Sequence, residues 1–242
     1  MYGGFLSGHY GHFILESLAR AWVTDSEYCN DKVLFHSHRP HLSRMQRHCF
    51  SLAGFDERRV QIVDRPLRIK NLIIPEPGFV ISSLFHPQHA DFLGKIPSGS
   101  EVGARIWLSR SKLPDVAGRI VDESDLEDEI IKDGWIVIHP ETLSLVDQVK
   151  IFANASVVAG LEGSAFHTVI FVKNPTCRLL IIPRTRREND VHNNYKLISN
   201  TKNIDQRIFP GNLRIIEDNG YRSNLAFVSR ADVRDFLNAE SA

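Results

Sequence analysis

Between Val157 and Arg184 the chain reads Val157-Val158-Ala159-Gly160-Leu161-Glu162-Gly163-Ser164-Ala165-Phe166-His167, stays apolar from Thr168 to Val172, stops at Pro175, and resumes as Leu179-Leu180-Ile181-Ile182-Pro183-Arg184. A β-branched run ending in glycine, a turn with a second glycine, an apolar helix opened by serine and another apolar strand make a β-loop-α-β unit. Such a unit commits the chain to a parallel sheet, because two parallel strands are joined only by a crossover. The first N–H groups of the helix have no intrahelical acceptor and lie at the positive end of its dipole. Gly160 and Gly163 let a phosphate come close to that main chain. A tight turn in a parallel sheet asks for the same residues, so the pattern alone leaves anion binding and plain turn both open. His167 lies a turn into the helix, where facing a phosphate and capping the core are equally compatible with its position.

The flanking sequence extends the same alternation. Arg105 to Arg110 and Trp135 to Ile138 read as strands, Ser124 to Lys132 as a helix opened by a Ser124/Glu127 capping box and ended by Gly134, and Ser144 starts a helix that buries Leu145, Val149 and Phe152. Strands alternating with helices of about ten residues give Rossmann-like layering. Glu127-Asp128-Glu129 is expected on the solvated face of its helix.

Upstream, Phe13 to Trp22 has helical apolar spacing, with His12, Glu16 and Arg20 on one face. That face is read as a surface ion-pair ladder or as the polar wall of a cleft. Lys32 to Phe35, Val60 to Val63 and Leu67 to Ile74 are expected strands, and His41 to Ala53 and His86 to Leu93 expected helices. Gly94 to Gly103 is the richest Gly/Ser/Pro stretch inside the chain and is read as a linker. The expected organisation is an N-terminal α/β domain over 1–97, a C-terminal Rossmann-like domain over 104–205, and a strand and helix tail over 206–242 packing back on the core.

Charge narrows the partners. Lysine plus arginine and aspartate plus glutamate each number 29 in the 242 residues, so no basic excess points to nucleic acid. Cys29, Cys49 and Cys177 are widely spaced and odd in number, which disfavours a disulfide framework and fits a reducing cytoplasm. The apolar runs are strand-sized, so no transmembrane segment is expected, and membrane contact would be peripheral. His36-Ser37-His38-Arg39-Pro40-His41 has the histidine spacing of a metal-dependent hydrolase, but Pro40 stands where that pattern has an aspartate and no later carboxylate set completes a two-metal site.

Gly11 to Arg20, Trp107-Leu108-Ser109-Arg110-Ser111 and Ser144 to Phe171, in this order, resemble glycosyltransferase family 61, whose bacterial members are often labelled capsular polysaccharide biosynthesis proteins. The resemblance spans roughly residues 8 to 185 and is more specific in its second half. It implies a GT-B-like α/β fold of two Rossmann-like domains with parallel sheets, a donor held mostly by the C-terminal one, and inverting single-displacement transfer. Better-known eukaryotic members carry a histidine where Glu162 stands. Met1 lies close to the first motif, so the N-terminal domain is expected to be short, truncated or completed by a partner, as in a homodimer.

Transfer from a nucleotide sugar needs the leaving diphosphate stabilised, by a metal on a D-x-D pair or by basic groups and a helix start. The chain has no D-x-D. The expectation is therefore metal-independent stabilisation, with no cofactor, by Arg110, Lys112 and the N–H groups of Ser164 and Ala165 in the Gly160 to Gly163 turn. Glu162 is expected to accept from the donor's ribose hydroxyls. His12, oriented by Glu16, is the candidate base for the acceptor hydroxyl. The partners expected are a UDP- or GDP-sugar and a glycan acceptor. A hydrolase using His36, His38 and His41 and a non-catalytic sugar- or nucleotide-binding member are the alternatives.

Overall fold

The computed structural model describes residues 1–25, 31–99, 103–114, 117–184, 190–219 and 223–241. Its larger sheet is built from the strands β6 (Arg105–Leu108), β7 (Trp135–Ile138), β8 (Val157–Leu161), β9 (Arg178–Ile182) and β10 (Gln206–Ile208), all parallel, in the order β10-β9-β8-β6-β7. Side chains alternate across these strands, and here both faces are covered. Val158, Leu179 and Ile181 enter one core, and Val157, Ala159, Leu161, Leu180 and Ile182 the other. That is why the sequence shows unbroken apolar runs rather than alternation.

The second of those cores is closed by α4 (Glu123–Lys132) and α7 (Arg230–Glu240), which bring Leu126, Ile130, Val233 and Leu237 onto Trp107 and Trp135. The antiparallel pair β11 (Leu213–Glu217) and β12 (Asn224–Phe227) borders it, with Leu225 bridged to Ile120, so the tail packs on the C-terminal part of the chain. The first core holds α5 (Leu145–Asn154), α6 (Asn193–Lys202) and a 3-10 helix over Ser164–Phe171. It runs without a break into the N-terminal part, where Phe13, Phe35, Phe50 and Leu93 belong to the same cluster.

The N-terminal sheet is parallel, β1 (Tyr2–Phe5), β2 (Val33–His36) and β3 (Val60–Val63) in that order. The helix expected over Phe13 to Trp22 starts earlier, as α1 (Tyr10–His12), and widens into a π turn over Phe13–Ser17 closed by Leu18 N–H to the Phe13 carbonyl (3.2 Å). Ser17 sits in that turn and holds it to the sheet end, donating to the Phe5 carbonyl (2.7 Å) and accepting from Ser7 N–H (2.9 Å). The ladder His12, Glu16, Arg20 stops at its first pair, because Arg20 instead donates to the Pro75 carbonyl (3.0 Å). α2 (Arg44–Leu52) begins three residues after the expected His41, where Ser43 and Gln46 form a reciprocal capping box, and Gly54 ends it with φ +69°.

Two further expectations are corrected. Leu67 to Ile74 is not a strand. It finds no partner strand, its Leu72 and Ile74 are 42% and 62% exposed, and its tie to the sheet is Tyr2 N–H to the Ile73 carbonyl (2.8 Å). The Ser124/Glu127 capping box is absent because α4 starts at Glu123, and Glu127 is drawn inward to serine hydroxyls on β6 and its following turn. The described part of the Gly94 to Gly103 stretch is docked rather than free, with Lys173 N–H on the Ile96 carbonyl (2.7 Å) and Gly99 N–H on that of Ala153 (2.8 Å), while residues 100–102 of that stretch lie outside the described residues. A short hairpin, β4 (Phe79–Val80) and β5 (Leu84–Phe85), and α3 (Pro87–Leu93) complete the N-terminal part. Cys49 and Cys177 are buried thiols, and Cys29 lies outside the described residues.

Candidate functional site

β6 leads to α4 on one face of the large sheet, whereas its neighbour β8 leads to the 3-10 helix on the other. The carboxyl ends of two adjacent strands whose connections diverge leave a crevice, the place where open α/β sheets bind ligands. A cleft of about 720 Å³ opens there. Leu108, Ser109 and Arg110 line it from the end of β6, Pro140 to Leu145 from beyond β7, and Leu161, Gly163, Ser164 and Ala165 from the end of β8. Across from them Tyr10 of α1 and Arg44, Met45 and His48 of α2 form a wall from the N-terminal part of the chain.

The two walls meet tightly at one place. A Cβ on Gly11 would lie 2.9 Å from Ser164 Cβ, and Tyr10 Oη bonds Thr168 Oγ1 at 2.7 Å. Gly160 meets a comparable demand inside the sheet. Opposite it in register is Leu108, whose carbonyl oxygen would be 2.9 Å from an added Cβ. Both positions thus leave no room for a Cβ, Gly11 because of the Ser164 side chain and Gly160 because of the Leu108 main chain.

Arg110 is the charge the cleft is built around. Its main-chain N–H donates to Glu123 Oε1 (2.9 Å), its Nη2 to the Ala117 carbonyl (3.0 Å), and its buried Nε has no partner. A Cβ on Gly163 would be 3.1 Å from Arg110 Nη1, so the guanidinium lies against the bare main chain of the turn. Burial, then the nearby Arg184 cation, lowers its pKa to about 10. A desolvated guanidinium with an unused donor is chemically suited to an anion. The first hydrogen bond of the 3-10 helix is Phe166 N–H to the Gly163 carbonyl (3.2 Å), which leaves the Ser164 and Ala165 N–H groups ahead of the helical pattern and beside that guanidinium.

The structure distributes the other expected site residues as follows. Lys112 is exposed in the turn after β6 and is not part of the cleft lining. Glu162 is buried and braces the main chain instead of reaching into the cleft. Its Oε1 accepts from His192 N–H (2.8 Å), its Oε2 from Arg184 N–H (3.3 Å), and its carbonyl from Arg184 Nε (3.2 Å). The expected ribose contact gives way to this clasp. His167 faces the interior, tilted on Tyr195 with ring centroids 4.7 Å apart, and burial followed by the charges of His192, His9 and His12 pushes its pKa down to about 3. It is a neutral imidazole and contacts no cleft surface. His12 is hydrogen-bonded through Nδ1 to Glu16 Oε2, as the spacing implies, with both side chains about half exposed. The pair follows Gly11, which touches Ser164, and is not part of the cleft lining.

Sequence reasoning missed Glu123 and Glu127. Both are buried beneath the end of β6, Glu123 accepting also from Trp107 Nε1 (3.3 Å) and Glu127 from the hydroxyls of Ser109 and Ser111. Their signal was present: 123 and 127 fall on the helical stripe of Leu126 and Ile130, which is core. The assignment of Glu127 to a solvated face is therefore corrected. Burial raises the Glu123 carboxyl to about 7, with Glu127 adding to the shift and the Arg110 N–H and charge opposing it. Sequence reasoning also missed Arg44 and His48 of the cleft lining, and Arg184, just beyond β9, whose charge acts on Arg110.

His36, His38 and His41 do not converge. His36 Nδ1 meets Tyr2 Oη (3.3 Å), His38 packs on Phe5, and no group of three metal-ligating side chains occurs among the described residues.

The sequence model described as Glycosyltransferase 61 matches residues 10–180, from the start of α1 into β9. The chain belongs to glycosyltransferase family 61. The matched region contains both walls of the cleft, from Tyr10 and α2 to Arg110 and the Gly163 turn. Membership supports glycosyltransferase activity, and with it a sugar donor and an acceptor. No curated protein matches the chain. Among the described residues no helix is long and apolar enough to cross a membrane.

Proposed function

We propose that this family 61 protein transfers a sugar from a UDP- or GDP-sugar to a glycan acceptor, in the synthesis of a surface polysaccharide in the cytoplasm, with inversion and without a metal ion. The observation that carries the reading is Arg110, a buried guanidinium with an unpaired Nε that lies on Gly163 at the start of the 3-10 helix. Those donors suit the charge that builds on a leaving diphosphate, and they are in place before it forms. In this reading the fold is GT-B-like, with 104–205 as the donor domain and 1–97 as the acceptor side.

His12 is the proposed base. An imidazole next to Gly11, its Nδ1 engaged by Glu16, can take the acceptor proton on Nε2 while the carboxylate stabilises the imidazolium. Family 61 membership and a cleft with cations facing a helix start favour this reading over the hydrolase. It is tested by thermal shift of the protein with UDP, GDP and their sugars in EDTA. A ligand at a hundred times its dissociation constant adds about 2.7 kcal/mol. Stabilisation only with a divalent ion would refute metal independence, and no stabilisation by any of them would refute the donor site.

A further inference from the structure

Glu123 is an acid for which the transfer chemistry has no use. It is fully buried, yet its Oε1 takes the main-chain N–H of Arg110 (2.9 Å) and the indole N–H of Trp107 (3.3 Å), while its Oε2 has no partner. The charged groups that bear on it are Glu127, one turn along its own helix, and Arg110, at the end of the strand it packs against. Arg184 lies beyond Arg110 and acts on that guanidinium. Asp122, its neighbour in sequence, is turned to Phe227 N–H (3.1 Å) and to Arg230 (3.8 Å). Ionised Glu123 therefore has one favourable charge facing it, and that charge is the one expected to bind the donor.

We infer that Glu123 is a positioning residue for the anion site, a buried carboxyl behind Arg110 that takes up a proton from water when a diphosphate occupies the cleft. The inference rests on the nucleotide-diphosphate reading of that cleft. The bond from Arg110 N–H to Oε1 fixes the Arg110 main chain whether the carboxyl is ionised or neutral, since either form accepts there. Oε2 is the atom free to carry the proton. A diphosphate laid on the guanidinium cancels the charge that favours carboxylate and adds a repelling one, so the neutral acid gains in the bound state. With the free carboxyl held near 7, the exchange falls within ordinary pH. Below that range Glu123 is already protonated and Arg110 is available in full. Above it, ionised Glu123 competes with the ligand for Arg110, and affinity falls.

The test uses an intact UDP- or GDP-sugar, whose phosphates keep a constant charge over this range, and isothermal titration from pH 6 to 8.5. Affinity is expected to drop about tenfold, one unit of linked pKa. At pH 7.5, titrations in buffers of different ionisation enthalpy should show net proton uptake. In Glu123→Gln, which keeps the acceptor at Oε1, affinity should stay at its acid-side value across the range with no uptake. A flat profile in the natural protein, or an unchanged slope in Glu123→Gln, overturns the inference. His48 of the cleft lining and His12 beside it are the competing sources of uptake. The double variant His12→Ala/His48→Ala decides between them even if Glu123→Gln does not fold, because a slope that survives it supports Glu123 and a slope that vanishes overturns the assignment. Failure of every such sugar nucleotide to bind at any pH refutes the cleft reading itself, an outcome distinct from binding without pH dependence.

Discussion

Arg110→Met separates what the empty protein wants from what the ligand wants. The guanidinium is desolvated and lies near the Arg184 charge, and its pKa is lowered from the ordinary arginine value to about 10. For a cation this sign means the charged form is disfavoured by folding. The penalty applies in full below about pH 10 and disappears only above the ordinary value, so it is complete at neutral pH. At about 1.4 kcal/mol per unit its ceiling is about 3 kcal/mol. Partial exposure screens part of this, and the bond to the Ala117 carbonyl, lost in the variant, offsets more, leaving a net gain of about 1 kcal/mol for methionine. For a chain of this size that raises Tm by about 2–4 °C. Affinity for UDP or GDP should move the other way, by about 1.5–3 kcal/mol or roughly ten- to 150-fold, because a charge-assisted bond to phosphate is gone. Scanning calorimetry and isothermal titration on the same preparation check both signs. A lower Tm with unchanged affinity would mean that Arg110 supports the fold and binds nothing.

Gly11→Ala, which puts a methyl 2.9 Å from Ser164 Cβ, should cost about 1–3 kcal/mol in urea unfolding, and an unchanged midpoint would show that the walls are not in tight contact. Glu162→Ala leaves the Arg184 and His192 N–H groups without their acceptor and should lower stability by about 1–3 kcal/mol for each that water does not reach, with Glu162→Gln losing less; equal losses would deny the clasp. His12→Ala should change stability by less than about 1 kcal/mol, its pair with Glu16 being half exposed, while transfer falls about 10²–10⁴-fold with nucleotide affinity kept; retained turnover removes His12 from the mechanism.

Much of this was legible in the residues, for reasons that can be stated. The β8 region was readable because strands buried on both faces leave continuous β-branched runs, and Gly160 because the approach of the Leu108 main chain admits no Cβ. His12 and Glu16 met because one helical turn separates them, whether α-helical or slightly wider. Arg20 did not join them, since a π turn changes the angular position of everything after it, and nothing in a single side chain announces such a turn. Leu67 to Ile74 carries strand-like residues, but a strand exists only with a partner, and partners are set by the fold. Glu127 was misplaced by its charge: acids near helix starts are usually solvated, and its destination, the hydroxyls of Ser109 and Ser111, lies 16 to 18 residues back on another element. Arg184 and Glu162 likewise depend on a contact across the end of β9 that no local pattern encodes.

The cleft also has a history in folding. Its walls join residues far apart in the chain, as Tyr10 to Thr168 across 158 positions. Contacts of such long range contribute only after the intervening chain is ordered, and parallel sheets reached through crossovers fold slowly for that reason. The 3-10 helix after β8 is the meeting point of both walls, and it cannot receive Gly11 until β6, β8 and β9 are aligned beneath it. During synthesis the N-terminal wall therefore waits for its counterpart, with Phe13 and Phe50 lacking the rest of their core until the chain has passed β9. A ligand that bridges the two walls would act on the last step of that assembly, slowing unfolding while leaving the rate of folding nearly unchanged.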